Sequence, residues 1–369
     1  MKKVAFYVNM PSPYRVEFFN LLGKYCDLYV FFEMDKSSTR NDSWQSYDFK
    51  NFKGIFLKGI SYSGEAAFCP SIIKEYKKVI PDINIVCNFS SLTGIKLVNY
   101  FIRHHIEYYV EGDGAFNGKD NNILKKHIKN KVFSNAKKLF YTSEEHLNYL
   151  LAHRAEKSNT VLYPFSSIHN KDICNLEEID EKKKQARNSL NLADKITIIT
   201  VGRFLKLKNI DLLLKAFKHF DDTCQLLVVG GNPTDEYKAI INDLSLKNVL
   251  FIDFQKKEPL YKYLKASDLF VFTSLSDVWG LVINEAMANG LPIISSDMAL
   301  GAVQMSINNE GISLYKAGDL EELVNQISNF INSDEQKKNR LIKSNLSKIT
   351  DYTLEKMCDK HVEELELNQ

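Results

Sequence analysis

Short apolar runs alternate with helical segments along the chain, and this alternation restricts the folds open to it. In the first half the strand-like runs lie at residues 4–8, 28–32, 55–57, 83–87, 108–110, 139–141 and 160–162. In the second half they lie at residues 196–201, 225–229, 249–252, 269–272, 292–295 and 312–314. Strands separated by helices favour parallel sheets that are covered on both faces. The sequence therefore predicts an α/β protein with a parallel sheet in each half.

The length of 369 residues suits two domains, because a single hydrophobic core rarely grows beyond about 250–300 residues. A charged segment, residues 166–195, separates the two series of strands. We expect it to hold the connection between the domains and the first helix of the second domain. The predicted domains are residues 1–167 and residues 168–350.

Two carboxylates, Asp277 and Glu285, lie eight residues apart where an apolar strand leads into a helix. Gly280 permits a tight turn, and the predicted helix ends at Gly290. The backbone N–H groups of Gly280 and Leu281 would lie at the positive end of this helix, which suits a phosphate oxygen. Eight helical residues span at most about 12 Å. That distance is comparable to the separation of ribose and sugar in a nucleotide-diphosphate sugar. The simpler interpretation is that Asp277 caps the helix and Glu285 is a solvated helix residue.

A second segment carries two cations beyond the end of a strand. The run at residues 196–201 leads directly to Gly202, Arg203 and Lys208, and then to an amphipathic helix. Ligands of open α/β sheets bind at the carboxyl ends of strands. Arginine can bind two oxygens of a diphosphate, whereas lysine supplies a compact charge beside them. Together the two segments predict a site for a nucleotide-diphosphate sugar.

With both segments considered, the chain resembles the retaining glycosyltransferases of family 4. The resemblance rests on Val201-Gly202-Arg203 with Lys208, Gly230-Gly231, residues 248–252, residues 267–271, and the stretch from Asp277 to Pro292. It implies the GT-B architecture, in which two facing Rossmann-like domains with parallel sheets enclose a central cleft. It also implies that a last helix, residues 351–369, crosses back to the first domain. Asp277 departs from the family pattern, which has Glu at that position.

The resemblance also implies roles for these residues. A sugar would pass, with retention, from a nucleotide-diphosphate sugar to a hydroxyl of a glycan or lipid-linked acceptor, as in the biosynthesis of cell-envelope polysaccharides. No cofactor, metal or protein nucleophile is implied. The catalytic roles fall to Arg203 and Lys208, which would stabilise the leaving phosphate, and to Asp277, which would orient the transferred sugar. The donor-binding residues are Gly202, Gly280, Leu281 and Glu285, the last of which would bind the ribose.

The first half offers two candidate acceptor-binding segments. A loop with two prolines ends at Tyr14 and Arg15, which are predicted to project from the start of the next helix. Glu111 and Asp113 follow another strand, with glycines at 112 and 114, and such carboxylates suit sugar hydroxyls. The alternatives are plain turns in both places, or an acid-x-acid metal motif of the GT-A type at Glu111 and Asp113.

Composition excludes several other classes. The net charge of +2 gives no general argument for nucleic acid. The six cysteines show neither metal-binding nor disulfide spacing, which favours a cytoplasmic protein. No apolar stretch approaches the ~20 residues that span a bilayer. The basic segment 123–138 is interpreted as a helix packed on the sheet with a solvated cationic surface. Peripheral contact with the anionic inner face of the membrane is the alternative.

Two rival functions remain open. A non-catalytic subunit that binds nucleotide sugars is consistent with Asp277 in place of Glu. A dinucleotide-dependent oxidoreductase is disfavoured, because neither strand 4–8 nor strand 196–201 is followed by G-x-G-x-x-G.

Overall fold

The computed structural model describes residues 1–35, 48–116 and 122–367. The chain divides into two compact units. Unit 1 comprises Met1–Ser167 and Thr353–Gln369, and unit 2 comprises Ile168–Tyr352. The last two residues of the predicted segment 351–369 lie outside the described residues.

The first part of unit 1 alternates strands and helices, with one hairpin inserted. Its strands are β1 Lys3–Val8, β2 Asp27–Phe32, β3 Lys53–Phe56, β4 Ile60–Ser63, β5 Ala66–Phe68, β6 Ile83–Val86, β7 Tyr109–Glu111, β8 Leu139–Tyr141 and β9 Thr160–Leu162. Its helices are α1 Pro13–Leu22, α2 Ile72–Val79, α3 Leu92–Arg103, α4 Ile123–Ser134 and α5 Glu144–Ala152.

Unit 2 repeats the alternation. Its strands are β10 Ile196–Val201, β11 Cys224–Val229, β12 Val249–Ile252, β13 Leu269–Phe272, β14 Ile293–Ser296 and β15 Ile312–Tyr315. Its helices are α6 Ile179–Ser189, α7 Ile210–Phe217, α8 Asp235–Leu244, α9 Lys257–Lys265, α10 Leu281–Ala288, α11 Leu300–Ser306, α12 Leu320–Ile331 and α13 Glu335–Ile349. The chain then returns to unit 1 with α14 Leu354–Glu364.

Each unit is built on one parallel sheet. In unit 1 the strand order is β3-β2-β1-β6-β7-β8-β9, and in unit 2 it is β12-β11-β10-β13-β14-β15. The named pairs within both sheets are parallel. The order reverses between β1 and β6 and again between β10 and β13. Loops at the carboxyl ends of these strands therefore diverge, which is where open α/β sheets bind ligands. The predicted α/β class with two Rossmann-like domains is confirmed.

Buried apolar strands explain why the sheets form where the apolar runs lie. Residues 4–8 of β1 are all buried, and β1 pairs on both sides, with Val4 opposite Leu28 and Ile83. In unit 2 all six residues of β11 are buried. Helices cover each sheet and complete a separate core in each unit. Burial on both faces is the reason that these strands read as continuous apolar runs.

Two local features differ from the sequence-based expectation. The antiparallel hairpin of β4 and β5 was not predicted, because all four residues of β4 are exposed and give no apolar run. The basic helix α4 ends at Ser134 rather than 138. Its packing on the sheet was expected along its whole length, but Val132 near its end is buried, whereas Leu124 near its start is 68% exposed.

Candidate functional site

The loops that follow β10 and β13 are joined by hydrogen bonds. The N–H of Leu275 donates to the carbonyl of Leu207 over 2.8 Å, and the Ser274 hydroxyl donates to the same carbonyl over 3.0 Å. The Thr273 hydroxyl donates to the carbonyl of Lys208 over 2.9 Å. The carboxyl end of β13 therefore fixes the backbone that carries one of the two predicted cations.

Lys208 and Asp277 form a direct ion pair, although 69 positions separate them in the chain. The distance from Lys208 Nζ to Asp277 Oδ2 is 2.5 Å, and the side chains are only 22% and 16% exposed. The ammonium also lies 4.9 Å from the centroid of the Phe272 ring. The other oxygen of Asp277 accepts a hydrogen bond from the N–H of Trp279. Asp277 thus presents a fixed, charge-balanced carboxylate beside the cation.

Asp277 does not cap the following helix, so the simpler interpretation of this residue was wrong. The residue before α10 is Gly280, and its φ of 80° and ψ of 64° place it in the left-handed region. A Cβ at Gly280 would lie 3.1 Å from a methyl of Ile283 and 3.3 Å from the Phe272 ring. Glycine is required here by both the backbone and the space. The turn allows the first N–H groups of α10 to remain available at its positive end.

The segment between Asp277 and Gly280 is anchored from its other side. The N–H of Asp277 donates to the carbonyl of Met298 over 2.9 Å, and the N–H of Leu300 donates to the carbonyl of Asp277 over 3.0 Å. Trp279 is 1% exposed, and its indole N–H donates to Asn284 Oδ1 over 3.0 Å. This buried tryptophan holds the turn on α10, which makes the segment a rigid part of unit 2.

The remaining predicted donor-binding residues lie in the loop after β10 and in α10. Gly202 and Arg203 follow β10 directly, and Arg203 is exposed. Leu281 is the first residue of α10, and Glu285 lies one turn later and is half-buried. Gly230 shows why glycine is needed after β11, since a Cβ there would lie 1.9 Å from the carbonyl oxygen of Gly202. The loop after β10 and the loop after β11 can therefore approach each other only if residue 230 has no side chain.

The four candidate acceptor residues of unit 1 also lie together. Arg15 donates from one terminal nitrogen to Glu111 and from the other to Asp113. The Tyr14 hydroxyl lies 3.4 Å from the second oxygen of Asp113. Arg15 is 5% exposed, so the alternative interpretation of this segment, a plain turn with an exposed Arg, was wrong. The reason is that α1 begins at Pro13, which places Arg15 in its first turn against the end of β7.

Two further residues, which the sequence analysis missed, complete this cluster. His361 of α14 places Nε2 3.0 Å from Glu111 Oε2, and the Tyr163 hydroxyl lies 3.3 Å from Glu111 Oε1. Glu111, His361 and Tyr163 have no measurable exposure, whereas the Asp113 side chain is 36% exposed. Glu111 therefore supports the cluster from inside, and Asp113 is the carboxylate it presents to solvent. No motif marks His361, which lies 250 positions from Glu111.

The electrostatics distinguish the two carboxylates. Burial acts to raise the pKa of Glu111, but the interactions with Arg15 and His361 outweigh it and lower this pKa to about 2. Partial desolvation and the neighbouring charge of Glu111 raise the pKa of Asp113 above its ordinary value, against the opposing charge of Arg15. Burial also raises the pKa of Tyr163, so its hydroxyl stays a donor. At neutral pH Glu111 is an ionised acceptor held by the cationic Arg15.

Part of unit 2 matches a known protein family. Residues 181–347, which include β10, β13 and α10, match the family described as glycosyl transferases group 1. The chain resembles GT-B glycosyltransferases. The match covers the donor-binding candidates of unit 2 and leaves unit 1 outside it.

Two curated relatives illustrate the resemblance. An uncharacterized glycosyltransferase of Methanocaldococcus jannaschii is 27% identical over 237 residues, which are 60% of this chain and 53% of the relative. The N-acetylgalactosamine-N,N'-diacetylbacillosaminyl-diphospho-undecaprenol 4-alpha-N-acetylgalactosaminyltransferase of Campylobacter jejuni is 28% identical over 165 residues, or 44% of each chain. The chain spans about half the length of the curated relatives it matches.

Solved structures extend the likeness to nearly the whole chain. Sucrose-phosphate synthase from Thermosynechococcus elongatus has a TM-score of 0.79 at 18% identity, covering 99% of this chain and 98% of that chain. HepE of Anabaena, in complex with UDP and glucose, has a TM-score of 0.76 at 16% identity, covering 99% and 100%. These similarities establish the GT-B fold.

Within residues 1–35, 48–116 and 122–367, no helix combines the length and apolar character needed to cross a membrane. In the same residues, no group of three or more His, Cys, Asp or Glu side chains is arranged to hold a metal ion.

Proposed function

We propose that this chain is a retaining glycosyltransferase that moves a sugar from a nucleotide-diphosphate sugar to a hydroxyl of a glycan or lipid-linked acceptor. The observation that carries the proposal is the Lys208–Asp277 ion pair beside the glycine turn that opens α10. It combines a cation for a diphosphate, a carboxylate for sugar hydroxyls and helix N–H groups for phosphate oxygens. The group 1 match supports sugar transfer, and the UDP complex of HepE supports a nucleotide-sugar donor.

In the proposed reaction, the acceptor oxygen bonds to the anomeric carbon on the same face from which the diphosphate departs. The bond from that carbon to the diphosphate oxygen breaks, and the leaving phosphate takes the proton of the acceptor hydroxyl. Arg203 and Lys208 stabilise the negative charge that grows on the diphosphate. Asp277 orients hydroxyls of the transferred sugar, and Glu285 binds the ribose. No protein nucleophile is required.

Fixed cations also provide the basis for proposing that the reaction needs neither a metal nor a cofactor. Arg203, Lys208 and the N-terminus of α10 supply the positive potential that a divalent ion supplies in other transferases. The acid-x-acid segment of unit 1 has a different arrangement, because both carboxylates bind Arg15. We therefore assign Asp113, with Tyr14, to the acceptor. The acceptor class is supported by the diphospho-undecaprenol substrate in the name of the Campylobacter jejuni relative.

We further propose that the reaction takes place in the cytoplasm, with α4 in peripheral contact with the membrane. All six cysteines lie in the described part of the chain and are free, which suits a reducing compartment. At the start of α4, Ile123 is 86% and Leu124 is 68% exposed, followed by exposed Lys125 and Lys126. Apolar side chains flanked by lysines suit an anionic lipid surface, where each lysine contributes about 1 kcal/mol.

Vesicle sedimentation tests the membrane contact. The double variant Ile123→Ser/Leu124→Ser should lose binding to vesicles containing anionic lipid, whereas Ile60→Ser, which changes a 77% exposed residue of β4, should retain it. Equal binding of all three proteins would contradict a role for α4.

A panel of nucleotide sugars tests the proposed reaction. The cognate donor should raise the melting temperature by mass action and support transfer to a hydroxyl acceptor. Lys208→Ala should lower kcat about 100- to 1000-fold, the usual effect of removing one donor to a developing oxyanion. Lys215→Ala is the matched control, because Lys215 is exposed on α7 and pairs with Asp211 of the same helix. Donor binding without turnover would favour the non-catalytic subunit, and normal turnover in Lys208→Ala would refute the diphosphate role.

A further inference from the structure

Both ring nitrogens of His361 face groups that only accept hydrogen bonds. Nδ1 lies 2.8 Å from the carbonyl oxygen of Met357, and Nε2 lies 3.0 Å from Glu111 Oε2. A carbonyl has no proton to donate, and an ionised carboxylate has none either. Each nitrogen must therefore carry a hydrogen for both contacts to be favourable. A neutral imidazole would leave one nitrogen lone pair against an oxygen lone pair, inside a site that has no exposure to solvent.

We propose that His361 is a buried imidazolium that positions the candidate acceptor carboxylate Asp113. The part concerning the acceptor rests on the proposed function. With this charge, the cluster contains two cations, Arg15 and His361, and two anions, Glu111 and Asp113. Buried charges persist in proteins when they are paired and hydrogen-bonded. The formal charges of the cluster then cancel.

A continuous set of contacts connects His361 to Asp113. Glu111 binds His361 through Oε2 and Arg15 through Oε1, where the Tyr163 hydroxyl also lies at 3.3 Å. Arg15 uses its second terminal nitrogen for Asp113 Oδ1. The planar guanidinium fixes the angle between the two carboxylates, because its donors are held in one rigid fork. The orientation of Asp113 therefore depends on a histidine that does not touch it.

The surroundings of the ring are suited to a positive charge. Its face is stacked on Phe140 at 4.8 Å with an interplanar angle of 4°, and Phe18 packs on it at 4.8 Å and 61°. The ring of Tyr163 lies at 5.3 Å. Aromatic faces attract cations, and these rings come from β8, α1 and the segment after β9. Glu111 on β7 is the anion that faces the ring directly.

Charge-neutralising substitutions test the positioning role. His361→Gln and Glu111→Gln should each raise the KM for acceptor at least about tenfold, as about 1.4 kcal/mol of lost binding does, with little change in the KM for donor. The first variant leaves a net negative cluster and the second a net positive one. The double variant restores neutrality and can pair the two amides, so its acceptor KM should lie closer to wild type than either single variant. Lys356→Gln is the control, since it removes an exposed positive charge from α14 itself.

Nitrogen-15 NMR of the histidine ring tests the charge directly. The expected spectrum shows a hydrogen on both nitrogens of His361 at pH 7, and the Glu111→Gln variant should lose this signature at the same pH. A single protonated nitrogen at pH 7, or additive effects of the two substitutions on acceptor KM, would overturn the proposal. If no sugar transfer is found, the proposed function fails. The charge on His361 can still be decided without activity, from the NMR spectrum and from the melting temperatures of the His361→Gln, Glu111→Gln and double variants.

Discussion

Glu33 should make the stability of unit 1 depend on pH in a direction opposite to that of most carboxylates. The residue follows β2 and is 6% exposed. Burial raises the pKa of its carboxyl to about 7, although a hydrogen bond from the Ser91 hydroxyl at 2.5 Å and one from the N–H of Ala67 at 3.3 Å favour the ionised form. Because Ser91 caps the N-terminus of α3 and Ala67 lies on β5, this carboxyl links the hairpin to the helix.

The sign of the effect follows from proton uptake. A carboxyl with a raised pKa keeps its proton longer in the folded state than in the unfolded chain. The contribution of Glu33 to stability is therefore largest below pH 4.5, and it is lost as the pH rises toward 7. The rise in the pKa of Glu33 from 4.5 to about 7 corresponds to a stability contribution of about 3 kcal/mol in total. About 2 kcal/mol of this contribution is lost between pH 5.5 and pH 8.5.

Urea denaturation of wild type and Glu33→Gln at pH 5.5, 7.0 and 8.5 provides the measurement. Glutamine retains an oxygen for the N–H of Ala67 and an amide for the Ser91 hydroxyl, but it cannot ionise. The free energy of unfolding should fall by about 2 kcal/mol more in wild type than in the variant across this range. Comparing the two proteins cancels every other titrating group. An identical pH dependence in both would show that Glu33 titrates normally and would refute the reasoning.

Three further predictions concern the donor site. Gly280→Ala should lower stability by about 1–2 kcal/mol, because alanine is strained in a left-handed backbone, and it should also weaken donor binding. Gly318→Ala is the control, because Gly318 has a φ of 87° and no neighbour within 4 Å, so this change should lower stability alone. An unchanged donor affinity in both variants would contradict the assignment of the α10 turn to the donor. In titration calorimetry, Glu285→Gln should weaken free nucleotide and donor together, whereas Asp277→Asn should mainly affect the sugar; equal losses of nucleotide affinity would argue against this division. Transfer should survive EDTA, and a loss restored by magnesium or manganese would disprove metal independence.

The strands of the sheets could be predicted from sequence almost to the residue. The structure has strands at Leu139–Tyr141, Ile196–Val201, Val249–Ile252 and Leu269–Phe272, as the apolar runs predicted. These runs can be recognised because covered parallel sheets bury most strand positions, so most residues of each strand are apolar. The exposed strand Ile60–Ser63 has no such constraint and was missed.

The contacts of the candidate sites were less predictable, because they depend on strand order. Lys208 and Asp277 meet because β13 lies beside β10 in the sheet, an order that local periodicity does not specify. Arg15 was expected at the surface, since nothing near it in the sequence indicates the carboxylates that bury it. The motifs lie in loops at strand ends, as the sequence predicted. The residues that contact their side chains lie 69 to 250 positions away in the sequence.

The return of α14 to unit 1 has a consequence for synthesis on the ribosome. Glu111 emerges 250 residues before His361, and at about 5–20 residues per second that interval lasts about 12–50 seconds. During this time the nascent unit 1 contains Arg15 and Glu111 without the cation that completes their cluster. Unit 2 is encoded entirely within the interval. Translation of unit 1 therefore starts before that of unit 2 and is completed after it, because its buried cluster waits for α14.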